Sequence, residues 1–569
     1  MSPSSDPMLS LSLTALVALP VLLALALVVR AVRLLFFHPL SSVPGPWYAA
    51  VSSLWITTHV LRLEQCKAVH ALFQIYGPVV RIAPNKIAFN DLGTAKTVYS
   101  TCKFDKSVYY KSLLTNDNDH AMTTLPHAQY SIRRKAYAQH YTPSNLAKLQ
   151  PEISEATGQL IEVLHKLPTN TAIDTLSLFR HLALDIIVAS SYGFRLGAVA
   201  KWAVDSEDGL SRAIGDFPKR GILRSAVPSW AWALVCKVPH QRLRLLCASD
   251  KIMADFVSTR VYEMRAMLTP SAKTTPIAAR RMPFWSSTKP SLSTSSSRSA
   301  SRSASEDSFA DTTGATKSYL LPRLLAFNYP NGVPMPEQDV ISECMGHMVA
   351  GTDTTSISAS FFLWELTRRR DILNKLRSEI DAAMPDARVI PDIKVLNELE
   401  YLNAFIEEGL RIYGAAPSLL ERVVPGPTHS SGFGADGFDL LGHAIPSSTI
   451  VATQAWSMHR DPAIFPSPDT FLPERWLPSS SSRDADAERL ARMASYMMPF
   501  GTGSRICGGK NLAHITMRVL LVAVLRNFEV EAAPGTDEKS MDMRDSFVMF
   551  PAAMECKLIF RPRASLLPS

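Results

Sequence analysis

A chain of 569 residues, 47% hydrophobic and 19% charged, can bury a large core; its 59 basic against 51 acidic side chains are only a mild excess. That excess suits an anionic membrane surface or an acidic protein partner, and no clustered basic–aromatic pattern points to nucleic acid. The cysteines Cys66, Cys102, Cys236, Cys247, Cys344, Cys507 and Cys556 are odd in number and include no CxxC pair, which argues against a disulfide framework or zinc ribbon and fits reducing surroundings.

Residues 8–29, "MLSLSLTALVALPVLLALALVV", hold no charge and are long enough to span a bilayer. Pro20 is tolerable in a membrane helix. Arg30 and Arg33 follow, whereas the leader carries Asp6 and no Lys or Arg, so the large C-terminal part is expected on the cytosolic side. A cleaved signal peptide is the rival reading, but basic residues stand where a small-residue cleavage site should lie. Residues 1–40 are therefore read as leader and anchor. The prolines of "HPLSSVPGPW" (38–47) make a stiff connector.

Helical periodicity dominates from 48 to 268, as in "NLAKLQPEISEATGQLIEVLHKL" (145–167). Between 286 and 305, 11 of 20 residues are serine, and the stretch 269–318 is read as a disordered surface insertion lacking the apolar content to order itself. The spacing then predicts one long helix over 337–370, weak at its centre, and another over 396–414. Short β-like runs such as "STIVATQAW" (448–456) follow between 415 and 476, and a last apolar helix covers 511–528. Residues 41–569 thus read as a single, mainly α domain with a small β part. Two coincidental motifs fail on context. "GFGADG" (432–437) has no strand before it or helix after it, and "HRD" (459–461) is followed by Pro462 with no matching DFG.

"PFGTGSRICGGK" (499–510) concentrates the chemistry. A thiolate can be a nucleophile, a disulfide partner or a metal ligand. Gly501 and Gly503 permit tight turns, Gly508 and Gly509 keep bulk away from Cys507, and Arg505 offers a planar cation suited to a carboxylate. A helix begins directly after, placing the sulfur near a positive helix end. One thiolate with space for something flat above it suits an axial haem ligand; an incidental cysteine in a glycine-rich turn is the bland alternative.

Phe500, Gly503, Arg505, Cys507 and Gly509 match F-x-x-G-x-R-x-C-x-G, so the stretch resembles the haem-binding signature of the cytochrome P450 monooxygenases. Gly508 departs from the usual aliphatic residue or alanine, which should loosen the packing beside the sulfur. Other matches follow in the family's order. "EGLR" contributes Glu408 and Arg411, which share a helix face, and "FLPERW" contributes Arg475, implied to join that pair. "AGTDTT" (350–355) resembles the oxygen-activation motif, which implies that its threonine hydroxyls bend the long helix to open a groove and that Asp353 and Thr354 relay protons. Arg134, with Tyr130 replacing the family's tryptophan, and Arg422 are implied to hold haem propionates.

The resemblance implies the cytochrome P450 fold behind a transmembrane helix, with haem b ligated by Cys507. It also implies insertion of one oxygen atom from O2 into a small organic substrate, with electrons from a separate NADPH-cytochrome P450 reductase and cytochrome b5 as a second donor. The motif wording looks like fungal secondary-metabolism enzymes of the endoplasmic reticulum membrane, single-pass with a cytosolic catalytic domain. The same fold also supports isomerases or dehydratases, and a membrane haem-binding protein without catalysis is a further rival; the intact Asp353–Thr354 pair argues for oxygenation. Candidate pocket segments are 106–114, 415–420 and 546–550, within which Lys106 or Lys111 could hold a substrate carboxylate.

Overall fold

Two helices make the centre of the domain. In the computed structural model, which describes residues 7–204, 209–268, 319–426, 437–479, 482–545 and 547–563, helix α1 spans Pro7–Phe36, α2 His127–Tyr137 and α3 Thr175–Tyr192. They are followed by α4 (Gly209–Ala226), α5 (Gln241–Leu268), α6 (Glu337–Arg368), α7 (Ile393–Glu398), α8 (Glu400–Tyr413) and α9 (Lys510–Asn527). The leader 1–6 and the insertion expected at 269–318 lie outside the described residues.

α3 and α6 pack along each other. Asp174 caps α3 by accepting from Leu176 N (3.1 Å), and Gly193, at φ +79°, ends it. α6 starts after Pro336 with Glu337 and Asp339 in its first turn, where the helix dipole favours anions, and stops at Arg369. Gly351 in its weak centre has a packing reason: a Cβ there would meet Ile187 Cδ1 of α3 at 2.4 Å. The hydroxyls of Thr352 and Thr354 donate to Met348 O and Ala350 O, both at 2.7 Å, yet α6 runs on as one helix of 32 residues.

Other boundaries shift for local reasons. The helix expected over 145–167 divides at Leu149 into Pro143–Lys148 and Gln150–Lys166, because prolines stand at the start of both pieces. The helix expected over 396–414 is α7 and α8, divided at Leu399. The β part is larger than read. β1 (Val79–Ala83), β2 (Lys86–Phe89), β3 (Asp105–Lys106), β4 (Arg422–Val423) and β5 (Ile450–Ala452) form one sheet in the order β1-β2-β5-β4-β3. A second sheet joins Ile173–Asp174, Lys557–Pro562 and Phe528–Ala532. α1 runs through Pro20, and residues 18–36 within it are long and apolar enough to cross a membrane, with none of that stretch buried.

Glu408 is the polar centre of the fold. Its carboxylate accepts from Arg411 Nε and Nη2 (both 2.9 Å), Arg475 Nε (3.0 Å), Trp476 Nε1 (3.0 Å) and Leu472 N (2.9 Å). Glu408 is fully buried, and Arg411 is 1% exposed. Arg411 also donates to the carbonyls of His459 (2.8 Å), Pro468 (2.6 Å) and Thr470 (3.2 Å), tying α8 to the meander before the cysteine loop. His459 continues the tie. Its Nδ1 donates to Arg411 O (3.0 Å) and its Nε2 accepts from Met498 N (2.8 Å), which fixes the neutral Nδ1–H tautomer. The HRD histidine is therefore a structural bridge to the residue preceding Pro499.

Burial, against the weaker pull of the Arg411 carbonyl, drives the His459 pKa from 6.5 down to about 3. Its folded value lies below its unfolded one, so the unfolded chain takes up the proton first. Stability is thus complete above pH 6.5 and is lost as pH falls from 6.5 towards 3. Denaturant unfolding at pH 7, 6 and 5 is expected to lose up to about 1.4 kcal/mol per pH unit through this one group. His459→Gln should flatten the slope by about one proton; an unchanged slope would show that His459 titrates alike in both states.

Candidate active site

The cysteine loop is shaped by one left-handed residue. Gly503 has φ +71°, and a Cβ there would lie 2.2 Å from the carbonyl oxygen of Tyr99. Only glycine lets the loop sit on the Tyr99 segment. Cys507 N then donates to Phe500 O (2.9 Å), closing the loop on itself. Cys507 is exposed, although protein packs around the loop. Burial pushes its thiol up, while the amides of Gly509 and Lys510 and the Arg134 cation pull the other way by favouring the thiolate. Phe500 lies against His514 of α9, with ring centroids 5.2 Å apart and the rings tilted by 40°.

The loosening expected at Gly508 is not found. A Cβ there would lie 3.1 Å from Tyr137 Cε2 and 3.8 Å from Tyr141 Cδ2, so two tyrosines occupy the room that a side chain would take. Tyr141 in turn hydrogen-bonds His347 of α6 (3.0 Å), linking the loop's surroundings to the long helix.

Around the loop stand cations without counter-ions. Arg134 donates to Ile506 O (2.6 Å) and Tyr130 OH (2.5 Å). Arg505 donates to Thr124 O (2.7 Å) and Leu125 O (2.5 Å), lies 4.5 Å from the Tyr130 ring, and leaves its buried Nε without a partner. Arg422 donates to Glu421 O (2.8 Å) and lies over Tyr99. Among the described residues none of the three ion-pairs with a carboxylate. Burial and then Arg422 bring Arg505 down to about 10. Tyr130, at the tryptophan position, thus braces two of these arginines.

The structure also separates the two lysines. Lys111 is paired with Asp119 (2.5 Å). Lys106 is buried, donates to Met122 O (2.6 Å) and is held well below its usual pKa by burial and then by Arg422 and Arg505. The three candidate pocket segments do meet: Phe547 lies 6.3 Å from the Tyr110 ring, and Met549 N donates to Ala415 O (2.8 Å). Ser546 lies outside the described residues.

On α6, Ala350 is exposed and Thr354 half-buried one turn on, two open positions in a helix otherwise largely closed. Asp353 is 2% exposed. Its Oδ1 accepts from Arg180 Nε of α3 (2.7 Å), while its Oδ2 is buried without a partner. Burial works against the Arg180 cation, but Asp353 outweighs it and raises its pKa. Arg180 and His459 were missed from the sequence, since neither stands in a motif with its partner.

These residues fit a haem. The exposed Cys507 stands beside three guanidinium groups that lack carboxylates, one with an orphaned buried nitrogen, and a haem brings an iron and two propionates. Gly503→Ala tests the loop independently. It should abolish haem incorporation, because both the φ angle and the Tyr99 carbonyl oppose any side chain; normal haem content in that variant would show that the loop can be rebuilt.

The cytochrome P450 family model matches residues 296–558. The chain is 28% identical over 532 residues to the cytochrome P450 monooxygenase stcB of Emericella nidulans, covering 91% of this chain and 88% of that protein. It is 26% identical over 527 residues to cypX of Dothistroma septosporum (92% and 91% covered), and 25% identical over 537 residues to aflV of Aspergillus parasiticus (93% of each). The family match covers the cysteine loop, the Glu408 network and the long central helix, and the fold agrees with it. The chain is thus similar to cytochrome P450 monooxygenases over more than nine tenths of its length.

Proposed function

We propose that this protein is a membrane-anchored haem-thiolate monooxygenase of fungal secondary metabolism, inserting one oxygen atom from O2 into a small organic substrate. The observation that carries the reading is Cys507, a single exposed cysteine bordered by guanidinium groups that lack carboxylate partners among the described residues. Cys507 would be the axial ligand; Arg134, Arg422 and Arg505 would take the propionates; and Phe500, Gly503 and Gly509 would shape the loop. Haem b, when bound, would supply the one-electron and O2 chemistry. Electrons would come from NADPH-cytochrome P450 reductase, with cytochrome b5 as a second donor. The apolar stretch of α1 would anchor residues 41–569, as one catalytic domain, on the cytosolic side of the endoplasmic reticulum membrane.

The chain's own part in the chemistry is proton handling. Thr354 Oγ1 donates backwards to Ala350 O, so its lone pairs remain free to accept from a water. Asp353 Oδ2 is a buried acceptor without a partner, on a carboxylate that Arg180 orients through Oδ1. A proton from solvent would be taken up at Asp353 Oδ2 and pass through water to Thr354 Oγ1 and on into the open side of α6, returning Asp353 to the carboxylate that Arg180 holds.

Cys507→Ala should remove the red-shifted Soret band of the reduced CO complex, whereas replacing any of the other six cysteines should not; a normal band in Cys507→Ala would overturn the ligand assignment. Thr354→Ala should keep fold and haem content but lower product formation ~10²-fold, the usual effect of losing a positioned proton donor. NADPH use should continue and hydrogen peroxide should accumulate, with Thr354→Ser retaining more coupling. Unchanged coupling in Thr354→Ala would leave this threonine a packing residue only.

A further inference from the structure

Of the seven cysteines, Cys236 and Cys247 stand closest in the sequence, eleven positions apart. Cys236 follows the short helix Ser229–Val235, and its amide donates to Trp232 O (3.1 Å). Cys247 lies in the second turn of α5, which begins at Gln241. The connection between them is tight: Lys237 N donates to Leu234 O (3.0 Å) and His240 N to Val238 O (2.8 Å). The chain reverses there and brings the two side chains within hydrogen-bonding reach of each other. Both thiols are free and half-buried, so a small solute can reach them.

Cations flank the pair. Arg220 favours the thiolate of Cys247, and Arg224 interacts with Cys236. Both arginines reach from α4 over the ring of Trp232, at 5.9 and 6.0 Å from its centre. They also hold the segment beside the candidate pocket. Arg220 donates to Leu114 O (3.5 Å) and pairs with Asp250 of α5 (3.3 Å), while Arg224 pairs with Asp117 (3.6 Å). Burial and then Cys236 push the Cys247 thiol up to about 11, against the pull of Arg220. Cys247 therefore stays protonated near neutral pH, and the attacking thiolate is that of Cys236.

We propose that Cys236 and Cys247 are a modification site, a dithiol that hydrogen peroxide closes to a disulfide, stapling the helix Ser229–Val235 to α5. The Cys236 sulfur attacks one peroxide oxygen, the O–O bond breaks, and the other oxygen leaves as water with the thiol proton. The Cys247 sulfur then attacks the resulting sulfenic sulfur, and its proton leaves with the hydroxyl as a second water. Two thiols and one peroxide thus become one disulfide and two waters. In reducing surroundings such a bond is transient, because two equivalents of a small thiol reopen it. Uncoupled turnover of the proposed reaction is a source of the peroxide, and added peroxide serves equally.

The staple acts on α4 through Trp232. Closing it fixes the ring over which Arg220 and Arg224 lie, and α4 packs directly on the candidate pocket segment, where a Cβ on Gly221 would stand 2.6 Å from Leu113 Cδ2.

Peptide mass mapping of the full-length holoenzyme, reduced and then treated with a few equivalents of hydrogen peroxide, tests this. The peptides holding Cys236 and Cys247 should be joined with the loss of two hydrogen atoms per chain, and dithiothreitol should restore both thiols. The link should form at least ~10-fold faster than oxygen adds to the half-buried Cys102. Cys236→Ser and Cys247→Ser should each abolish it, with the reduced CO spectrum unchanged. In the oxidised chain the amides from Trp232 to Cys236 should exchange with solvent at least ~10-fold more slowly. Oxidation of Cys102 while the pair stays reduced, separate oxygen adducts on Cys236 and Cys247, or a link that survives either serine variant would overturn the proposal. Unchanged amide exchange in a chain shown to carry the disulfide would overturn the staple.

Discussion

A carboxylate sealed in the interior between two guanidinium groups organises this molecule. Glu408 accepts five hydrogen bonds while fully buried, and each arginine spends its remaining donors on carbonyls of the meander between His459 and Thr470. Such a cluster need not add net stability, because desolvating the charges offsets most of their attraction. Removing one member, however, leaves an uncompensated buried charge at about 3–5 kcal/mol. The network therefore acts as a constraint: it ties α8 to the segment that runs from His459 to Trp476. His459 transmits that constraint to Met498, and so to the start of the cysteine loop.

The opposite arrangement surrounds Cys507. There, among the described residues, the cations have no carboxylate partners, and Arg505 keeps a buried nitrogen without a hydrogen bond. One polar cluster pairs its charges within the chain; in the other, among the described residues, three guanidinium groups donate to carbonyls and have no carboxylate partner. α6 stands between these tasks. Asp353 is tied to α3 through Arg180, whereas Thr354, its neighbour in sequence, is half-buried.

The cysteine loop was legible because its chemistry requires contiguous residues: the turn at Gly503, the cation at Arg505 and the thiol at Cys507 all fall within a few positions. Glu408 and Arg411 were legible for the same reason, being one helical turn apart. Long-range pairing was not. β2 aligns with β5 across more than three hundred residues, and nothing in "KIAF" announces that partner. Arg180 and Asp353 lie 173 residues apart, so their bond leaves no local trace. His459 was visible only inside a misleading tripeptide. The break at Leu149 escaped because periodicity continues through it while the following proline resets the backbone.

The contact between Gly508 and Tyr137 couples two positions that lie far apart in the chain. A methyl group at 508 would stand 3.1 Å from the Tyr137 ring, so the ring would have to yield by a few tenths of an ångström to admit alanine. What the cysteine loop can carry beside its thiol is therefore decided by how far a tyrosine on α2 can lean away.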